Sequence, residues 1–237
     1  MRLRCDALSG HHVGMSEPYN RFSGQSVERL TALTDGLFAV AMTLLVLDLR
    51  VPASEAWAVL DHGLWDALLK LGPNFGAYLL SFTILGTFWL AQHTLLTILG
   101  RSDRTLTWIH LGFLFVVTLL PFSAALLAEF HNLRLAVGVY WLNILLLGLG
   151  LKWSSRYGRQ AFLTGEDQAL SRLATFRRRI LLAQVLYALA ALICLASTVA
   201  SIVALGAVQL YFIVSPRLSR ARPSPSAGDD SGRSPDG

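Results

Sequence analysis

Charge is what this sequence has least of: only 15% of its 237 residues are Asp, Glu, Lys or Arg, where a soluble domain carries about a quarter. With 54% hydrophobic residues gathered in long runs, that scarcity excludes an ordinary water-soluble globule and predicts an all-α integral membrane protein. Cysteine is nearly absent. Cys5 lies in the N-terminal tail and Cys194 in an apolar run, so neither a disulfide framework nor a structural metal site is expected. Residues 1–28 hold no apolar core of the kind a signal peptide needs and are read as a cytoplasmic, mostly disordered tail. No Walker loop, HExxH, nucleophile–base pair or Cys/His metal spacing occurs, so the sequence does not read as an enzyme and implies no cofactor and no metal. The net charge of +5 resides in loops flanking apolar runs; membrane topology accounts for it, and no nucleic-acid partner is expected.

The chain is organised around Arg29–Pro52, RLTALTDGLFAVAMTLLVLDLRVP. As a helix rising about 1.5 Å per residue it is long enough to cross a bilayer. Asp35 begins it on a polar note and is followed by twelve uncharged residues. A carboxylate so near hydrocarbon is costly unless it faces protein or water, which marks it as a functional candidate. Further spans are expected at about 74–99, 106–130 (kinked at Pro121) and 133–151, with a connector at 53–72 whose Trp57 and Trp65 suit a membrane interface. Residues 152–179 read as a polar, arginine-rich loop. The 35-residue apolar run from Ile180 to Val214 is too long for one crossing and divides into spans of about 180–197 and 200–214. These spans form a membrane domain over 29–215, and 216–237 is low-complexity and read as a disordered cytoplasmic tail. With six spans, 17 of the 20 lysines and arginines fall on one side, which the positive-inside rule makes cytoplasmic along with both termini.

The first helix supplies most of the candidate chemistry. Arg29 and Asp35 stand six residues apart, roughly 240° around the axis, so each is expected to seek a partner elsewhere. The plainer alternative is that Arg29 reaches to the interface and Asp35 caps a helix end. Val40, Thr43 and Leu47 form one stripe, either a packing seam or a pore lining in which apolar rings constrict and a hydroxyl ring coordinates an ion. In the second span Trp89 and His93 share a face, with Asp35 or a first-helix hydroxyl as the natural partner of the histidine. An Asp35–His93 pair would also suit a proton- or ion-coupled carrier, although no internal repeat of the kind carriers use is visible.

Those residues resemble the transmembrane-protein-175 potassium channel family of prokaryotes and lysosomes. Its R-x-x-x-F-S-D signature stands here as Arg29, Leu33, Thr34 and Asp35, with leucine for phenylalanine and threonine for serine. The likeness continues through AYLLSFTILGTFWLAQH (Ala77–His93) and LLPFSAALLAEF (Leu119–Phe130). It implies a multi-pass plasma-membrane protein, a homotetramer of six-span subunits whose first helices line a pore for K+ with no TVGYG-type filter. It assigns Val40, Thr43 and Leu47 to the pore, and Arg29, Thr34, Asp35, Trp89 and His93 to a polar network packing the first helix. Val40 is smaller than the usual leucine or isoleucine at the constriction, which implies a wider hole and weaker discrimination among cations.

Overall fold

The computed structural model describes residues 22–49, 65, 68–163 and 167–220; of residues 22–26 and 215–220 it describes the backbone alone. The tail through residue 21, residues 50–64 with Trp57, and the tail beyond residue 220 lie outside the described residues. Every described element is helical: α1 (Phe22–Leu44) and a 3-10 turn (Leu45–Asp48), α2 (Gly72–Leu99), α3 (Arg104–Thr118), α4 (Leu120–Glu129), α5 (Arg134–Phe162), α6 (Asp167–Leu192) with a 3-10 turn (Ile193–Leu195), and α7 (Thr198–Arg220). Among the described residues, five segments are long and apolar enough to cross a membrane: Val27–Asp48, Gly72–Leu99, Arg104–Glu129, Arg134–Phe162 and Asp167–Leu195. Thr198–Val214 is a shorter apolar helix.

Local chemistry sets the breaks. Pro121 has no N–H to give, and the helix divides at Leu119, whose own N–H bonds Val116 in a tightened turn (3.2 Å). Gly100 ends α2 at φ 59°, a left-handed geometry that favours glycine, with its N–H on the Leu96 carbonyl. Asp103 then caps α3 by accepting the Leu106 N–H at 2.8 Å. Ser197 does the same for α7, its hydroxyl oxygen accepting the Ala200 N–H at 3.3 Å. That serine cap forms the turn inside the Ile180–Val214 run, where no proline marks it.

The arginine-rich stretch 152–179 is not a loop. α5 runs on to Phe162 and α6 begins at Asp167, and residues 164–166 lie outside the described residues. The reason is a narrow face of small residues. Ser154, Ser155 and Gly158 are buried, and a Cβ on Gly158 would fall 2.4 Å from a Leu99 methyl. The extension is thereby packed on the end of α2. Tyr157 also donates its hydroxyl to the second carboxylate oxygen of Asp103. Polar composition suggested a loop; close backbone approach makes it a helix.

The core is built from Ile84, Leu85, Leu95, Leu114, Leu120, Tyr140, Ile144 and Leu147, all fully buried among the central helices. α1 lies at its edge, packed on α2, α3 and α4.

Candidate functional site

α1 has two faces of opposite character. Leu30, Thr34, Phe38, Ala41 and Leu45 recur at spacings of three and four and are buried. Phe38 seats its ring 6.2 Å from that of Phe113 on α3. On the outer face Val40 is 54% and Leu47 68% exposed, and Thr43 is exposed with them. The Thr43 hydroxyl donates to the Val40 carbonyl of its own helix at 2.8 Å, which leaves its oxygen lone pairs directed outward. Arg29 and Leu33 are likewise exposed.

Two polar links tie α1 to its neighbours. The indole N–H of Trp89 donates to Asp35 Oδ1 at 2.8 Å, joining α2 to α1. Asp35 is therefore partnered from another helix, as expected of a carboxylate at that position. His93, one turn on, stacks against Trp89 at 6.1 Å between ring centroids. It is exposed, and the oxygen of Asp35 is taken by tryptophan rather than by histidine.

The second link was not foreseen. The histidine that meets a first-helix hydroxyl is His110 of α3, not His93. Thr34 donates to the Leu30 carbonyl at 2.7 Å, so His110 Nε2–H donates to Thr34 Oγ1, also at 2.7 Å. Nδ1 then accepts from the Gln92 amide at 2.6 Å, an assignment that makes the imidazole neutral with one donor and one acceptor. Thr34, Gln92 and His110 are all buried, and together they tie α1, α2 and α3 at one level. A histidine and a glutamine inside apolar spans were the available signal.

A second buried cluster joins the later helices. Gln209 of α7 donates to the Thr83 carbonyl and to Thr87 Oγ1 at 2.7 and 2.6 Å, and accepts the Tyr187 hydroxyl of α6. Among the described residues no group of three or more His, Cys, Asp or Glu side chains could hold a metal ion. What the arrangement offers is a helix anchored by a buried His110–Thr34 hydrogen bond and an exposed Trp89–Asp35 one, with an apolar stripe and an exposed hydroxyl on its outer face.

The family model described as "Endosomal/lysosomal potassium channel TMEM175" matches residues 29–121, which include α1, the Trp89–Asp35 contact and the His110 link. A potassium channel of Streptomyces collinus is 35% identical over 128 residues, 52% of this chain and 60% of that protein. A potassium channel of Chamaesiphon minutus is 37% identical over 115 residues, 47% of this chain and 56% of that protein. The chain thus spans less than two thirds of the length of these relatives. A Gallus gallus protein named endosomal/lysosomal proton channel TMEM175 is 32% identical over 126 residues, a quarter (24%) of its length. The crystal structure of a lysosomal potassium-selective channel TMEM175 homolog from Chamaesiphon minutus superposes with a TM-score of 0.70 at 26% identity, covering 81% of this chain and 98% of that one.

Proposed function

We propose that this chain, which belongs to the TMEM175 family, is the subunit of a potassium-selective cation channel whose pore is lined by α1. The observation that carries the reading is the outward stripe of Val40, Thr43 and Leu47 on a helix tied to its neighbours by Trp89–Asp35 and His110–Thr34. Apolar side chains so exposed need a covering, and the hydroxyl among them offers its oxygen lone pairs to an ion. Arranged about a fourfold axis, four copies of the stripe make Val40 a constriction, Thr43 a ring of oxygens for a partly dehydrated K+, and Leu47 a second apolar collar.

In this reading the protein is a homotetramer in the plasma membrane, Thr198–Val214 is the sixth crossing, and both termini lie on the cytoplasmic side with most of the basic residues. Trp89, His93 and Arg29 act through the position of α1. A carrier built on Asp35 and His93 has less support, since Asp35 is held by the Trp89 indole. Because relatives include proteins named proton channels, proton flux belongs in the same experiment.

The test is cation flux from proteoliposomes under a potassium gradient, with Val40→Ala and Thr43→Ala alongside. A pore gives fast potassium-driven flux whose ion selectivity changes in both variants. Slow, saturable flux that requires a proton gradient would make the protein a carrier.

A further inference from the structure

Away from α1 the bundle keeps a seam of different chemistry between α2 and α6. An apolar slot of about 220 Å³ lies among Phe88, Ala91, Phe176, Ile180, Ala183 and Tyr187, with Arg179 at its edge. A polar cavity of about 480 Å³ follows it, lined by Thr97, Ile98, Asp167, Gln168, Ala169 and Arg172. On α2 the lining advances from Phe88 to Ile98, and on α6 it runs back from Tyr187 to Asp167. The two cavities therefore stand in line, apolar within the bundle and polar at its basic end.

The slot is closed by specific packing. Gln184 on its wall donates to the Ile144 carbonyl at 3.3 Å, and this approach needs Gly148, where a Cβ would sit 1.8 Å from the Gln184 amide nitrogen. Tyr187 is held by Gln209. At the polar end, Arg172 and Arg179 are two helical turns apart on one side of α6. Asp167 opposes them, but it occupies the first turn of α6, where the positive end of the helix dipole offsets a carboxylate. The remaining surplus is positive.

An apolar slot leading to arginines at the boundary of the apolar spans matches a molecule with an acyl chain and a negative head. We propose that the α2–α6 seam binds an anionic phospholipid of the surrounding bilayer, with one acyl chain in the slot and the phosphate between Arg172 and Arg179. Basic pockets between membrane helices recognise such head groups by this combination of charge and hydrocarbon. The site requires a membrane-embedded bundle and is independent of whether the protein conducts ions.

The experiment therefore reads lipid and not flux. Purified protein is reconstituted with equal phosphatidylglycerol and phosphatidylcholine of matched acyl chains and re-extracted in mild detergent. Retained lipid is then read by mass spectrometry. The wild type is expected to retain phosphatidylglycerol preferentially, and Arg172→Gln and Arg179→Gln each to lower that preference by about fivefold. Arg156→Gln, an exposed cation on α5, should leave it unchanged. Ala183→Trp, which fills the slot, should abolish retention of both lipids with the oligomer intact. Equal retention of the two lipids by the wild type, or an equal loss in Arg156→Gln, would overturn the proposal. Dissociation of the oligomer by Ala183→Trp would do so as well, because a second copy of the chain would then be what covers the seam.

Discussion

Val40 carries the most specific expectation at the scale of single residues. A valine at a fourfold constriction leaves a wider opening than leucine, so Val40→Leu should raise potassium-over-sodium permeability, read as a shift in reversal potential under bi-ionic conditions. An unchanged ratio would remove Val40 from the constriction. Thr34 tests the network instead of the pore. Thr34→Val leaves the buried Nε2–H of His110 without an acceptor and should cost about 1–3 kcal/mol, whereas Thr34→Ser keeps the hydroxyl and should cost much less. Thermal unfolding in detergent compares the two, and a Thr34→Val variant as stable as the wild type would mean that the hydrogen bond to His110 does not hold α1 in place. Asp35 was legible as a residue needing a partner on another helix; that Trp89 would pack on α1 came only from the family resemblance. His110 was not legible, because its importance depends on Thr34 and Gln92 arriving from two other helices, and no spacing along one helix records a three-helix meeting point.

Helix interiors read well at the scale of elements, and helix ends less so. The apolar runs predicted the cores of α1, α2 and α3, and Pro121 predicted the break between α3 and α4, since each follows from local composition or a missing N–H. The extension of α5 beyond Leu151 was hidden because polar residues dominate it; it packs through buried Ser154, Ser155 and Gly158, the last admitting Leu99, a tertiary fact. Two glycines of α5 make that argument testable. Gly158→Ala puts a methyl against the Leu99 side chain and should destabilise by about 1–3 kcal/mol through overpacking. Gly138→Ala meets nothing within 4 Å and, by helix propensity, should be neutral or stabilise by up to about 1 kcal/mol. Equal melting temperatures for the two variants would show that the α5 extension is not closely packed. The turn at Ser197 was legible, because an apolar run too long for one crossing must break near its middle; the serine then serves as the cap, accepting the Ala200 N–H.

For the whole molecule, the arrangement is a helix bundle with α1 at its edge, gripped on one face and open on the other. Such a face has a use when copies assemble around it. The account thus joins three scales: a stripe of side chains, a helix held by tryptophan and histidine contacts, and an assembly with α1 at its axis. Cysteine accessibility during potassium flux tests that chain of reasoning most directly. In a Cys5→Ser, Cys194→Ser background, single cysteines are placed at Val40, Thr43 and Leu47, and at Ala41 on the buried face as a control. A small water-soluble thiol reagent is then added to conducting proteoliposomes. The account predicts prompt loss of potassium flux for the Thr43 and Leu47 substitutions and none for Ala41. Flux that persists with a modified cysteine at Thr43 or Leu47 would place the conduction path elsewhere and contradict a pore lined by α1.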